Sequence, residues 1–175
     1  CTELPAKEPP VDSLLKWSYE LRRENPSKAM AFGWKALSLA KDKGDMLKES
    51  DALNRLGYAH QYSNLTQRAD SFFSTSLGLR RRIGKPELIL KGLTAYLQFY
   101  RRLGNYPKAK EFSLEAERMI DDIPNGKEKG DFYLITGNLF LDLEEMNKAA
   151  EYFAQALFIY AKIPSQEDLL SSYIN

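Results

Sequence analysis

The stretch LGNYPKAKEFSLEA, residues 103–116, combines a turn with the start of a helix that carries two alanines on one face. Its Ala109 recurs at a constant spacing of 40 residues as Ala29, Ala69 and Ala149. Three other columns keep this spacing, and they read Ala36, Ser76, Ala116, Ala156; Leu39, Leu79, Met119, Ile159; and Gly44, Gly84, Pro124, Pro164. Periods of about 20 to 50 residues are typical of solenoids, in which each unit buries its apolar face against its neighbours. The sequence therefore predicts a repeat array.

Turn-forming residues interrupt the helical pattern about every twenty residues, so each repeat is expected to hold a pair of helices. Pro86 and Pro107 suit the first turn of a helix, and Gly44 and Gly84 suit the left-handed residue that ends one. We expect helices over 11–24, 27–43, 45–63, 66–83, 86–103, 107–122, 127–144, 147–162 and 165–175. The predicted fold class is all-α: an α-solenoid of about four antiparallel helix pairs plus one terminal helix. After a flexible tether at 1–10, the predicted repeats span 11–44, 45–84, 85–124 and 125–164, with a partial repeat at 165–175.

Small residues are needed where the two helices of a pair approach most closely. The alanine columns supply them on the second helix of each pair, and Gly57 and Gly137 supply them on the first. Repeats one and three place Trp17 and Leu97 at that position instead. We therefore expect those two contacts to be wider or differently packed.

These motifs resemble the tetratricopeptide repeat (TPR) family over residues 11–175. The residues that carry the resemblance are Leu56-Gly57, Ala69 and Phe73 in repeat two; Tyr100, Leu103-Gly104-Asn105-Tyr106, Ala109 and Ala116 in repeat three; and Tyr133, Gly137, Phe140, Ala149, Phe153, Ala156 and Leu157 in repeat four. The resemblance implies a right-handed superhelix that binds a protein or peptide in the groove of its first helices. HEAT and armadillo repeats, whose period is also about 40 residues, are the alternative.

The repeat length departs from the usual TPR period of about 34 residues. Units of 40 residues look like those of bacterial signalling proteins, including the extracytoplasmic input regions of sensor histidine kinases. By period Tyr173 takes the place of Tyr133, and Leu169, Leu170, Tyr173 and Ile174 are expected to cover the fourth pair. We therefore expect the chain to be an excerpt of a longer protein with an output domain elsewhere.

Composition limits the classes of function. The 175 residues are 43% hydrophobic and 28% charged, as in soluble globular proteins, and no apolar run is long enough to span a bilayer. The net charge of +1 gives no field that attracts nucleic acid. Because His60 is the sole histidine and Cys1 the sole cysteine, we expect no catalytic triad, metal site or cofactor, and no enzyme activity. His60 is expected to pack in the core.

A partner-binding groove is predicted on the face of the first helices that points away from the second helices. Its candidate residues are Asn54, Tyr58, Gln61, Tyr62, Gln98, Arg101, Arg102 and Asn138. Tyrosines offer contact area with little rotamer entropy, and amide side chains can pair with an extended peptide. The alternative is an ordinary solvated helix face. The lysine of the dicarboxylate clamp in chaperone-binding family members is missing from these columns, which argues against a chaperone-tail adaptor.

The run Arg80-Arg81-Arg82 ends the fourth predicted helix. Basic residues in a last turn interact favourably with the negative end of the helix dipole, and this explains the run by itself. A contact with an anion or a partner is the alternative. Nucleic-acid binding would require a broader basic face.

Cys1 and the polar, proline-bearing tether resemble the start of a mature bacterial lipoprotein, so Cys1 is a candidate lipid-attachment residue. The alternative is an arbitrary start of the chain. We accordingly expect an extracytoplasmic location, periplasmic or membrane-tethered, and otherwise a cytoplasmic one. Any membrane contact would come through a lipid on Cys1 or through other parts of the parent protein.

The function expected from these observations is non-enzymatic binding of a protein or peptide by a TPR module. The module would be the input or scaffold region of a larger bacterial signalling protein. Two alternatives stay open: a freestanding lipoprotein scaffold of the cell envelope, and an accessory repeat domain of an enzyme whose catalytic domain lies elsewhere.

Overall fold

A computed structural model of the chain describes residues 9–163. Over this range the chain forms eight α-helices and no strand: α1 Val11–Glu20, α2 Pro26–Asp42, α3 Met46–Tyr62, α4 Thr66–Ile83, α5 Pro86–Arg102, α6 Tyr106–Glu117, α7 Lys127–Asp142 and α8 Met146–Tyr160. A short 3-10 turn, Ile120–Asp122, follows α6. Cys1, most of the predicted tether and the predicted helix at 165–175 lie outside the described residues.

Local chemistry sets the helix ends. The side chains of Asn25, Asp45 and Asn105 each accept a hydrogen bond from the backbone N–H three residues further along, at 3.0, 2.9 and 3.3 Å. Such caps satisfy amide groups that have no partner within the helix. Residues with a left-handed φ between 59° and 77° lie at multiples of twenty residues from one another, and they are Gly44, Asn64, Gly84, Gly104 and Glu144. The same turn therefore recurs within repeats and between them.

Two helices are shorter than the sequence predicted. Helix α1 ends at Glu20 because the chain must turn before Pro26, which begins α2. Helix α6 ends at Glu117, five residues before its predicted end at 122. The 3-10 turn that replaces its last residues buries Ile120 and Ile123 just ahead of Pro124.

The described helices fall into two compact units. Unit 1 ends at Ile83 and contains α1 to α4, and unit 2 begins at Gly84 and contains α5 to α8. In unit 1 each helix packs against the next, and the first helices α1 and α3 also pack against each other. In unit 2 the pairs are α5 with α6 and α7 with α8, and the first helices α5 and α7 contact each other. The boundary lies one residue before the predicted end of repeat two at 84.

The repeat register predicted from the alanines is confirmed. Every residue of the two small columns at 29, 69, 109, 149 and 36, 76, 116, 156 is at most 2% exposed. Each therefore lies where a larger side chain would hold the helices apart. The fold class is all-α, with the helix-pair repeat of an α-solenoid.

The helix that carries the small residue of a pair changes from one repeat to the next. A Cβ added to Gly57 would lie 2.9 Å from the ring of Phe73, and one added to Gly137 would lie 2.6 Å from the ring of Phe153. In repeats one and three the large residue moves to the first helix, as Trp17 and Leu97, and the small residue moves to the second, as Gly33 and Ser113. Gly33 is buried, and a Cβ there would lie 2.9 Å from Leu56. Gly33 thus lies close to α3 of the next repeat, while the ring of Trp17 meets Phe32 of α2 at 5.3 Å and stays 38% exposed.

Candidate partner-binding face

The predicted groove residues divide between the two units. Asn54, Tyr58, Gln61 and Tyr62 lie on α3 of unit 1. Gln98, Arg101 and Arg102 lie on α5 of unit 2, and Asn138 lies on α7 beside it. We call the corresponding sides of these helices the first-helix face of unit 1 and of unit 2, and each is described by itself.

The exposure of the predicted groove residues rises from the column of Asn54 to the columns of Gln61 and Tyr62. The column of Asn54 is buried in the first three repeats: Asn54 is 5% exposed, and Leu14 and Thr94 are also buried. An amide at that depth cannot pair with the backbone of a bound peptide, so Asn54 drops out of the accessible face. The columns of Gln61 and Tyr62 are half-buried in unit 1, and Arg102 is exposed in unit 2. The accessible face is therefore displaced toward the C-terminal half of each first helix.

Tyr58 is half-buried and partly serves packing. Its ring meets Phe73 of α4 edge-on at 5.1 Å and Tyr19 of α1 edge-on at 6.1 Å between centroids. Burial raises the pKa of the Tyr58 hydroxyl to about 12 by disfavouring the charged phenolate, and nearby arginines only partly oppose this. Tyr58 thus joins three helices of unit 1.

Arg80 lies in the last turn of α4, as the sequence predicted, but its side chain points inward. Its side chain is 0% exposed, and its Nη2 forms an ion pair with Oδ1 of Asp51 at 2.9 Å. Its Nε donates to Oγ of Ser50 at 3.4 Å, and its Nη1 is buried with no hydrogen-bond partner among the described residues. Burial lowers the pKa of the Arg80 guanidinium, while the Asp51 carboxylate acts in the other direction.

The repeat register carried the signal for this inward arginine. Arg80 belongs to the column of Ala40 and Ile120, both of which are buried. A charged residue at a position that is buried in other repeats needs a partner in the interior. Its neighbours Arg81 and Arg82 are exposed.

Two more arginines gather on Tyr19. The guanidinium carbon of Arg22 lies 3.5 Å from the centroid of the Tyr19 ring, and that of Arg55 lies 4.5 Å from it. Both are cation–π distances. Arg22, Arg55 and Arg80 each act electrostatically to lower the pKa of the Tyr58 hydroxyl, against the larger effect of burial. We call Arg22 and Arg55, with Tyr19 and Tyr58, the arginine cluster.

Arg23 and Tyr62 form a further arginine–tyrosine contact in unit 1. Arg23 follows α1, and its Nε donates to the hydroxyl oxygen of Tyr62 on α3 at 2.9 Å. Its guanidinium carbon lies 5.7 Å from the centroid of the same ring. Tyr62 is thereby held against α1 in unit 1. The sequence columns placed Tyr62 on this face but gave no indication of Arg23.

In unit 2 an ion pair joins the two first helices. Nη1 of Arg101 on α5 lies 2.7 Å from Oδ2 of Asp142 on α7. Asn138 is half-buried and donates from its Nδ2 to the backbone oxygen of Leu134 on its own helix at 2.9 Å. Gln98 is half-buried on α5. On the face of unit 2, Arg101 is therefore paired with an acidic side chain.

Aromatic stacking supports α5 from behind. The ring of Tyr96 stacks on Phe112 of α6 at 4.4 Å, and Tyr100 stacks on the same ring at 5.7 Å. Nζ of Lys108 lies 4.8 Å from the centroid of Tyr100. These contacts fix the orientation of the helix that carries Gln98 and Arg101.

His60 packs in unit 1 as the sequence predicted. It is buried, its Nδ1 lies 2.8 Å from the backbone oxygen of Leu56, and its ring lies 4.8 Å from that of Phe72. Across residues 9–163, no group of three histidine, cysteine or acidic side chains is arranged to hold a metal ion. None of the helices in that range combines the length and the apolar character needed to cross a bilayer.

Solved structures show the same helical-repeat fold. The chain is similar to BtubC from P. vanneervenii, with a TM-score of 0.63 and 15% sequence identity over 92% of this chain and 70% of that one. It is also similar to the apo form of RapI, with a TM-score of 0.65 and 15% identity over 89% of this chain and 58% of that one. No protein-family model matches the sequence, and no curated protein matches it either. At this level of identity the two likenesses show the fold alone.

Proposed function

We propose that this chain is a non-enzymatic TPR module that binds a protein or peptide on the first-helix faces of its two units. One observation carries the proposal. The alanine columns that build the helix pairs are buried, whereas the first-helix faces carry tyrosine, amide and arginine side chains that are only half-buried or exposed. Tyrosine and arginine are enriched where proteins bind one another, because they combine contact area with directional hydrogen bonds.

The side chains of the unit 1 face suit a peptide better than a small molecule. In unit 1 the face runs along α1 and α3, and the side chains that line it include Gln61 and Tyr62. The Gln61 amide and the Tyr62 hydroxyl can form hydrogen bonds with the backbone of an extended peptide, while the tyrosine ring covers the side chains of that peptide. A concave, mostly apolar cavity of the kind that binds small molecules is not needed for this activity.

The proposal is tested by panning a displayed library of random peptides against the full chain. Selected peptides are then titrated by calorimetry against the wild type and a variant with Tyr62→Ala and Arg102→Ala. We expect the face variant to bind at least about tenfold more weakly, a loss of about 1.4 kcal/mol. A control variant with Gln67→Ala and Arg68→Ala, exposed residues at the start of α4, should bind as the wild type does. Equal affinity of the face variant and the wild type would remove the proposed site.

We further propose that the module is the extracytoplasmic input or scaffold region of a larger bacterial signalling protein. The support is the 40-residue repeat, whose length resembles that of such regions. The sequence of the parent gene beyond residue 175 is the direct test, and a kinase or regulator domain encoded there is the expected result. Mass spectrometry of the protein from native membranes tests the predicted lipid on Cys1, and an unmodified cysteine would contradict it.

A further inference from the structure

We propose that the arginine cluster of unit 1 binds carboxylate groups of an acidic peptide segment. This inference rests on the proposed peptide-binding function and specifies the chemistry of its ligand. Its first support is that two arginines of the cluster have no acidic partner. Within residues 9–163 neither Arg22 nor Arg55 forms an ion pair, although both are held in fixed positions on Tyr19.

The cluster concentrates positive charge in a small space. Arg22 and Arg55 lie over the same ring, at 3.5 and 4.5 Å from its centroid, and the edge-on contact of that ring with Tyr58 links them to α3. Two like charges over one ring repel one another, and a bound anion would relieve that repulsion.

Hydrogen-bond donors are left over at the cluster. A guanidinium group has five N–H donors and no acceptor. Arg22 donates from Nη1 to the backbone oxygen of Tyr19, and Nε of Arg55 is buried without a partner among the described residues. The remaining N–H groups of the Arg22 and Arg55 guanidiniums match the two oxygens of a carboxylate, which a guanidinium binds through paired hydrogen bonds.

The surroundings favour a peptide as the source of the carboxylate. Tyr62 lies beside the cluster on α3, where its hydroxyl accepts a hydrogen bond from Arg23. Tyr62 and Gln61 can contact the backbone of a segment whose acidic side chains reach Arg22 and Arg55. Nucleic acid fits less well, because the chain carries a net charge of only +1 and the cluster is not part of a broad basic face.

The test is a fluorescence anisotropy titration of the full chain with two short labelled peptides. One is rich in aspartate and glutamate, and its control has asparagine and glutamine at the same positions. We expect the acidic peptide to bind at least about tenfold more tightly than the control, and its affinity to fall as salt is added. Equal affinity for the two peptides would overturn the inference.

Charge variants locate the contact. Arg55→Gln and Arg22→Gln should each weaken binding of the acidic peptide by about tenfold, because each removes a charge-assisted hydrogen bond. Arg68→Gln is the matched control, since Arg68 is an exposed arginine on α4 that does not belong to the cluster. Arg22 lies in the turn after α1, so its replacement leaves the helices intact even if Arg55→Gln lowers stability. An equal loss for Arg68→Gln would indicate unspecific attraction and would overturn the inference.

The two proposals can fail separately. If a neutral peptide from the panning binds the wild type and loses affinity with Tyr62→Ala, the peptide-binding function stands. If the acidic peptide then shows no binding, or Arg22→Gln and Arg55→Gln leave its affinity unchanged, the inference about carboxylates is overturned alone.

Discussion

Replacing Asp51 should destabilise the protein much more than replacing Arg80, its partner in the buried ion pair. Asp51→Asn leaves the Arg80 charge without a counter-ion in a site with no solvent exposure. Arg80→Met instead removes the buried charge and fills the space with an apolar side chain, as Ala40 and Ile120 do in the same column. Asp51 keeps some contact with solvent, because its side chain is 16% exposed. We therefore expect Asp51→Asn to be the more damaging change.

The magnitude follows from the geometry of the pair. Two unit charges about 4 Å apart attract by about 4 kcal/mol at an effective dielectric constant of about 20. Asp51→Asn loses this attraction while the desolvation cost of Arg80 stays, so we expect it to cost about 3 to 5 kcal/mol. Arg80→Met loses the attraction and the desolvation cost together, and should change the free energy of unfolding by no more than about 1 kcal/mol.

The assay is urea unfolding followed by circular dichroism, with the free energy of unfolding taken from linear extrapolation. The double variant Arg80→Met with Asp51→Asn should recover most of the stability that Asp51→Asn loses, because no unpaired charge is left. Glu20→Gln is the control, since it breaks the exposed pair of Glu20 with Lys16 and should cost less than about 0.5 kcal/mol. A larger loss for Arg80→Met than for Asp51→Asn would refute this description of the pair.

Other substitutions test side-chain packing in the two units and the ionisation of Tyr58. Gly137→Ala should destabilise by about 1 to 3 kcal/mol through its clash with the Phe153 ring, whereas Gly78→Ala, with open space around it, should stabilise by about 0.5 to 1 kcal/mol; thermal melts measure both. Leu77→Ala should cost about 2 to 5 kcal/mol at 3% exposure, and Leu157→Ala at 70% exposure should stay within about 0.5 kcal/mol in the same urea assay. Because the pKa of Tyr58 is raised to about 12 in the folded state, the unfolded chain releases that proton first, and stability should fall from pH 10 to pH 12; Tyr58→Phe should make the decline shallower.

Much of the fold could be predicted from the sequence because a similar pattern of small and turn-forming residues recurs in each of the four repeats. The turns at Gly44 and Gly84 and the prolines at the starts of α2 and α5 place the helix ends to within a few residues. The early end of α6 could not be predicted from the helical pattern. It depends on the burial of Ile120 and Ile123 in a 3-10 turn, which is a tertiary effect.

The candidate site was predicted less completely. The columns placed Gln61 and Tyr62 on the first-helix face of unit 1, where the structure also has them. They did not indicate that Asn54 is buried, because the sequence alone does not show whether a polar residue of a helix is buried or exposed. Arg80 was interpreted from its neighbours in the chain instead of its column, so its inward direction was missed.

The arginine cluster could not be predicted from the sequence, because its members lie far apart along the chain. Arg22 follows α1 and Arg55 lies on α3, and no spacing in the sequence relates them. Tyr19 and Tyr58 bring them together through ring contacts between helices. Convergence of this kind arises from the packing of helices that are distant in sequence.

The most direct measurement is chemical-shift mapping of the full chain by NMR during titration with a peptide selected by panning. If the first-helix faces bind the peptide, the largest shifts should fall on α3 and α5, at residues such as Gln61, Tyr62, Gln98 and Arg101, while α4 and α6 change little. Shifts confined to the second helices, or no shifts under conditions where the peptide binds, would contradict a partner-binding role for these faces.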